Sequence, residues 1–254
     1  MTEFATGWST THIAGKPADL YLPSRWSEPR TVMLYLHGHA LITLKDNPVY
    51  TAQLERLGWG CLCPSGSRSW WVDRICTEFD PEVTAHQYLL QSVLPWIESQ
   101  FDLRPPGIPL CGVSMGGQAV LRLSYLKPQD FPVVAALAPA IEYHQWYGQG
   151  LPLDQIYPSQ EAARQDTALL ALNPLRVPRQ QLIVCDPEDH EWIGSAEKLI
   201  SKMSSSGVRY ESDLDTRRGG HTWDYFNAMA EKVMTFLAAG MESERRRLPI
   251  REPS

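Results

Sequence analysis

The hexapeptide Gly112-Val113-Ser114-Met115-Gly116-Gly117 stands directly after the apolar run Ile108–Cys111 and directly before Gln118-Ala119-Val120-Leu121-Arg122-Leu123. This is G-x-S-x-G in a strand–turn–helix setting, a sharp turn that lifts a serine hydroxyl clear of the end of a sheet. The spacing has a steric reason: a Cβ at 112 or 116 would run into backbone where strand and helix close on each other. The helix that follows places its positive dipole end beside Ser114, where an alkoxide or tetrahedral oxyanion is favoured. Attack on a carbonyl carbon is the chemistry such a serine performs. A glycine-rich turn with an incidental serine is the bland alternative, and the flanking strand and helix argue against it.

A serine nucleophile needs a base, and the base needs an acid to orient it, in the chain order Ser, Asp or Glu, His. Downstream of Ser114 the histidines are His144, His190 and His221. His221 sits in Arg218-Gly219-Gly220-His221-Thr222-Trp223, a glycine turn between the last strand and the last helix, at the sheet edge where the serine turn also lies. His190 lies among acids and reads as a loop residue. His144 lies in Glu142-Tyr143-His144-Gln145-Trp146-Tyr147, which reads as substrate wall or packing. His221 is therefore the expected base. The acid should follow the strand Leu182–Cys185, in Asp186-Pro187-Glu188-Asp189. Asp189, deeper in the loop, has the reach to meet an imidazole and ranks ahead of Asp186, which Pro187 stiffens against the strand end; Glu188 ranks third. The oxyanion calls for two backbone N–H donors. These are expected from Met115 and from His39, in the turn His37-Gly38-His39-Ala40, with the His37 ring holding that turn through the backbone. No acid–histidine spacing suits a metal, and the chemistry needs no cofactor.

The elements that must position these groups follow from patterning. The stretch from Gly7 to Pro23 reads as an antiparallel hairpin turning at Ala14-Gly15-Lys16. Short continuous apolar runs then recur at Val32–Leu36, Gly60–Cys63, Ile108–Cys111, Val133–Leu137 and Leu182–Cys185, with a weaker edge candidate at Val208–Leu214. Runs apolar on both faces mark parallel strands covered on each side by helices. Between them, a helix is expected from Pro81, capped by Asp80 and kinked or loosened near Pro95. Another carries Ala196, Leu199, Ile200 and Met203 and stops at Gly207. The last carries Phe226, Met229, Val233 and Phe236 and ends at Gly240. Alternating strand and helix imply an α/β fold, a doubly wound, mostly parallel sheet with an N-terminal antiparallel hairpin. Residues 1–240 read as one domain, 138–172 as a small cap insertion and 241–254 as a charged, solvated tail. Trp70, Trp71, His144 and Trp223 are the candidate substrate contacts.

The 254 residues carry a formal net charge of −6, against the basic surface that nucleic-acid binding requires. No run is long and apolar enough to span a membrane, and the N-terminal stretch lacks the order of a signal peptide. Five cysteines, an odd number without zinc-ligand spacing, fit a cytoplasmic protein with core thiols.

Taken together, LYLHGHA at 34–40, VLPWIESQFDL ahead of CGVSMGGQAVLRLSY, and RRGGHTWDYF resemble the α/β-hydrolase superfamily and, within it, the putative-esterase branch. That branch includes S-formylglutathione hydrolases, feruloyl esterases and mycolyltransferases. The resemblance runs from about residue 30 to 239. It implies Ser114 as nucleophile, His221 as base and Asp189 as acid, with oxyanion donors from Met115 and His39. The expected activity is hydrolysis of a small-molecule carboxylic or thioester through an acyl-enzyme. Acyl transfer to another acceptor, or a non-catalytic binding role on the same fold, are the alternatives.

Overall fold

The computed structural model describes residues 5–247. β1 (Gly7–Ile13) and β2 (Lys16–Leu22) form the expected antiparallel hairpin. Its two turn residues, Ala14 and Gly15, have φ of 47° and 78°. Positive φ at both positions matches the right-handed twist of the flanking strands. The core strands are β3 (Val32–Leu36), β4 (Gly60–Pro64), β5 (Leu110–Val113), β6 (Val133–Leu137), β7 (Gln180–Val184) and β8 (Glu211–Asp213). They complete an eight-stranded sheet in the order β1-β2-β4-β3-β5-β6-β7-β8. β2 joins β4 antiparallel and every later pairing is parallel. β3, β4, β5 and β6 are buried along their whole length, which is why their sequences are apolar without alternation. β5 begins two residues later than expected and so delivers Ser114 directly from its end.

The helices are α1 (Pro48–Leu57), α2 (Ala85–Tyr88), α3 (Leu94–Phe101), α4 (Met115–Leu126), the short α5 (Leu153–Ile156), α6 (Gln160–Gln165) and α7 (Ala168–Ala171), then α8 (Ile193–Ser205), α9 (Trp223–Ala228) and α10 (Ala230–Arg247). The helix expected from Pro81 instead begins at Ala85, where Thr84 and Gln87 form a reciprocal capping box. The Asp80 carboxylate does accept the N–H groups of Glu82 and Val83, at 2.9 Å each. It also binds Lys16 Nζ at 2.7 Å, which fastens a turn to the hairpin rather than opening a helix. Pro95 cannot donate to Gln91, and the turn before it widens to a π-helix over Leu89–Val93. Gly207, with φ of 66°, follows the end of α8 as expected.

The C-terminal end corrects the expected stop at Gly240 and the solvated tail from 241. α10 runs on to Arg247. Gly240 is a close-packing residue inside that helix, since a Cβ there would come within 2.7 Å of Val133 Cγ1. Met241 and Glu244 are buried, and Glu244 pairs with Arg179 at 2.5 Å. Charge alone read this segment as solvated, whereas one face of it is docked. Residues 248–254 lie outside the described residues.

Candidate active site

Ser114 occupies the turn between β5 and α4 with φ of 56° and ψ of −118°. A non-glycine residue held at positive φ in this region costs about 1–3 kcal/mol and persists only where its surroundings enforce it. Here the Ser114 N–H donates to Leu137 C=O at 2.9 Å, and its carbonyl accepts the Gln118 and Ala140 N–H groups at 3.0 Å each. The glycines are steric necessities. A Cβ on Gly116 would lie 1.9 Å from Leu36 O, and one on Gly112 would lie 2.3 Å from Gly116 O. Met115 opens α4, so its N–H is one of those with no acceptor inside the helix.

The turn after β3 approaches the serine from the other side. A Cβ on Gly38 would lie 3.1 Å from Ser114 Cβ. The His37 ring is buried and fixed at both nitrogens: Nε2 accepts the Gly66 N–H at 3.0 Å, so Nδ1 carries the proton and donates to Gly38 C=O at 2.9 Å. Burial pushes its pKa down to about 4, leaving a neutral ring of one tautomer that braces the turn carrying His39. The Trp71 indole N–H donates to His37 C=O at 3.3 Å and braces it again.

His221 and Asp189 meet. His221 Nδ1 donates to Asp189 Oδ2 at 2.6 Å, which leaves Nε2 as the nitrogen available to a nucleophile. Asp189 is buried, and its Oδ1 accepts the Trp192 N–H at 3.1 Å. Asp186 is equally buried but does something else. Its Oδ1 accepts the Glu188 N–H at 2.7 Å, while Oδ2 accepts those of Arg218 at 2.5 Å and Gly220 at 3.0 Å. Burial opposes its ionisation, yet these three donors hold its pKa below the usual aspartate value. Asp186 thus ties down the backbone of the turn that carries His221. Sequence reasoning treated it only as a rival for the triad and missed this role.

Ser114, Gly38, His39 and His221 border one cavity of about 340 Å³. Trp223 lines it as expected. Trp70, Trp71 and His144 do not. Trp70 is wholly buried behind the wall, stacked on Tyr143 at 4.6 Å between ring centroids and edge-on to Trp146 at 5.7 Å. Trp71 is spent on His37 and packs over Gly66. His144 lies on the 3-10 turn Tyr143–Trp146, and it is Trp146 from that turn that reaches the cavity. Sequence reasoning also missed Trp192, Phe226, Tyr35 and Glu191 as lining residues. For Trp146, which the sequence also did not single out as a contact, the available signal was the aromatic density of residues 143–147.

Two antiparallel strands leading into a parallel sheet, and a serine strained at the strand–helix turn on a cavity that a loop histidine also lines, define the α/β-hydrolase class. The sequence matches the family described as Putative esterase over residues 18–234, and the chain belongs to that family. It is a carboxylesterase-type hydrolase. A search of curated proteins finds no match. Among solved structures, an S-formylglutathione hydrolase from Agrobacterium tumefaciens superposes with a TM-score of 0.74 at 16% identity, over 94% of this chain and 97% of that one. FphF, a fluorophosphonate-binding serine hydrolase of Staphylococcus aureus, superposes with a TM-score of 0.72 at 16% identity, over 92% and 99%. A ferulic acid esterase does so with 0.71 at 14%, over 91% and 97%. At these identities the likeness is one of fold.

Proposed function

We propose that the enzyme cleaves small carboxylic esters or thioesters through an acyl-enzyme on Ser114. His221 takes the serine proton as Oγ attacks the carbonyl, and the oxyanion forms against the Met115 and His39 N–H groups. His221 then returns the proton to the leaving alcohol or thiol. Water repeats the sequence and releases the acid. Asp189 holds the imidazole tautomer and stabilises the imidazolium. The observation that carries this reading is the 2.6 Å contact from His221 Nδ1 to buried Asp189, on the rim of the cavity that also holds Ser114. The segment 138–172 supplies part of the substrate wall through Trp146. The five free, buried thiols of the chain accord with a reducing, cytoplasmic setting.

Fluorophosphonate labelling followed by peptide mass spectrometry tests the nucleophile without assuming a substrate. A single adduct on Ser114 is expected, and Ser114→Ala should remove both the adduct and at least about 10⁴-fold of turnover while leaving Tm close to that of the wild type. Labelling elsewhere, or full activity in Ser114→Ala, ends the reading.

A further inference from the structure

The cavity walls also bear on which esters enter, an inference that rests on ester cleavage at Ser114. Among the described residues, Glu191 is the only carboxylate that lines the cavity, and no lysine or arginine does. The nearby acids Glu142 and Glu188 are paired with Lys198 and Arg217 at 2.6 and 3.4 Å. Glu191 has no basic partner within ion-pair distance among the described residues; its Oε1 instead accepts the Trp146 indole N–H at 2.6 Å. Around it the lining is aromatic. The Trp146 and Trp192 rings sit 5.3 Å apart at 52°, and Trp223 meets Phe226 edge-on at 5.5 Å. The remaining titratable rings do not reverse the balance. His39, 5.3 Å from Trp146, is held toward its neutral form by burial, and His221 is committed to Asp189.

Indole faces attract cations through the ring quadrupole; Trp146 and Trp223 are partly exposed and Glu191 is exposed, while Trp192 is buried and packs against Trp146. A carboxylate with no counter-ion beside them adds Coulomb attraction and repels anions. The chain's net charge of −6 acts in the same direction at longer range. We propose that the cavity selects esters carrying a fixed cation, such as a quaternary ammonium, in the acyl or the alcohol half, and that Glu191 is the specificity-determining residue.

Two isosteric pairs test this. For the alcohol half, 2-(trimethylammonio)ethyl butyrate is set against 3,3-dimethylbutyl butyrate. For the acyl half, ethyl 4-(trimethylammonio)butyrate is set against ethyl 5,5-dimethylhexanoate. In one pair kcat/KM should favour the cation by about tenfold, and that pair identifies the half that faces Glu191. Glu191→Gln retains an acceptor for the Trp146 N–H and should bring the ratio close to one. Equal rates within both pairs, or a ratio unchanged in Glu191→Gln, overturn the inference while leaving ester hydrolysis standing. Absence of turnover on all four esters, with Ser114 still labelled by fluorophosphonate, also overturns it. Loss of both turnover and labelling would instead bring down the assignment of Ser114 itself.

Discussion

The two sides of the cavity are built by different means. On the side of Ser114, His37 and His221, each segment is held through main-chain atoms: the elbow through Leu137 and Ala140, the His37 turn through Gly38 and Gly66, the His221 turn through its own N–H groups on Asp186. On the side of residues 143–166, position is set by side chains against side chains. Trp70 stacks on Tyr143, the Tyr143 and Tyr157 hydroxyls meet at 2.9 Å, and Tyr157 donates to Asp166 Oδ2 at 2.7 Å, with Arg122 also on Asp166. Main-chain placement tolerates almost no substitution, because backbone cannot repack around an added atom. Side-chain packing can be altered piecemeal at moderate cost. On the proposed reading, reaction chemistry and substrate choice sit on frameworks of different stiffness, so mutations on the two sides should separate kcat from KM.

The sharpest way to break this comparison is within the loop 186–189. Asp189→Asn should lower kcat by about 10⁴-fold with little change in stability, because the wrong imidazole tautomer is then favoured. Asp186→Asn should act mainly on stability, costing about 1–3 kcal/mol in urea unfolding as its buried backbone donors lose a charged acceptor. If the two variants exchange phenotypes, Asp186 is the acid. Next in size, Gly116→Ala should destabilise by more than about 4 kcal/mol or prevent folding, since its Cβ would meet the Leu36 carbonyl at 1.9 Å. Near-normal Tm in that variant would show the elbow to be softer than this geometry requires.

His37 gives a pH test of the same framework. Its pKa falls from 6.5 to about 4 on folding, so below pH 6.5 the unfolded chain takes up the proton first. The stability its neutral form contributes is complete above pH 6.5 and is lost as pH falls toward 4. The loss reaches about 3 kcal/mol. Unfolding free energies across that range should show a slope that His37→Gln reduces. The smallest effect is expected on the aromatic side, where Trp146→Ala should raise KM about tenfold and change kcat by less than about threefold. An equal loss in kcat would mean that the wall also positions the reacting carbonyl.

Much of the framework was legible in the residues because its causes are local. Glycines at 112 and 116 around a serine, between an apolar run and a helix-forming run, can scarcely fold into anything but the strained turn observed. The positions that misled were those where one local signal had two uses. Asp80 followed by Pro81 is a good helix start by itself, but Lys16 on the hairpin binds the carboxylate and the helix waits for Thr84. Gly240 looks like a stop until Val133 is placed against it. Trp70 and Trp71 follow a turn near the site, yet one is stacked on Tyr143 and the other is hydrogen-bonded to His37.

The sequence by itself determined the α/β architecture, the serine turn and the histidine loop, since strand and helix periodicity and glycine sterics act over a few neighbouring residues. Only the tertiary structure decided that Asp189 faces the imidazole while Asp186 holds the loop, and that Trp146, Trp192 and Glu191 line the cavity while Trp70, Trp71 and His144 do not. Those choices depend on which side chains from distant segments share one small space, and close packing resolves that only once the whole chain has folded.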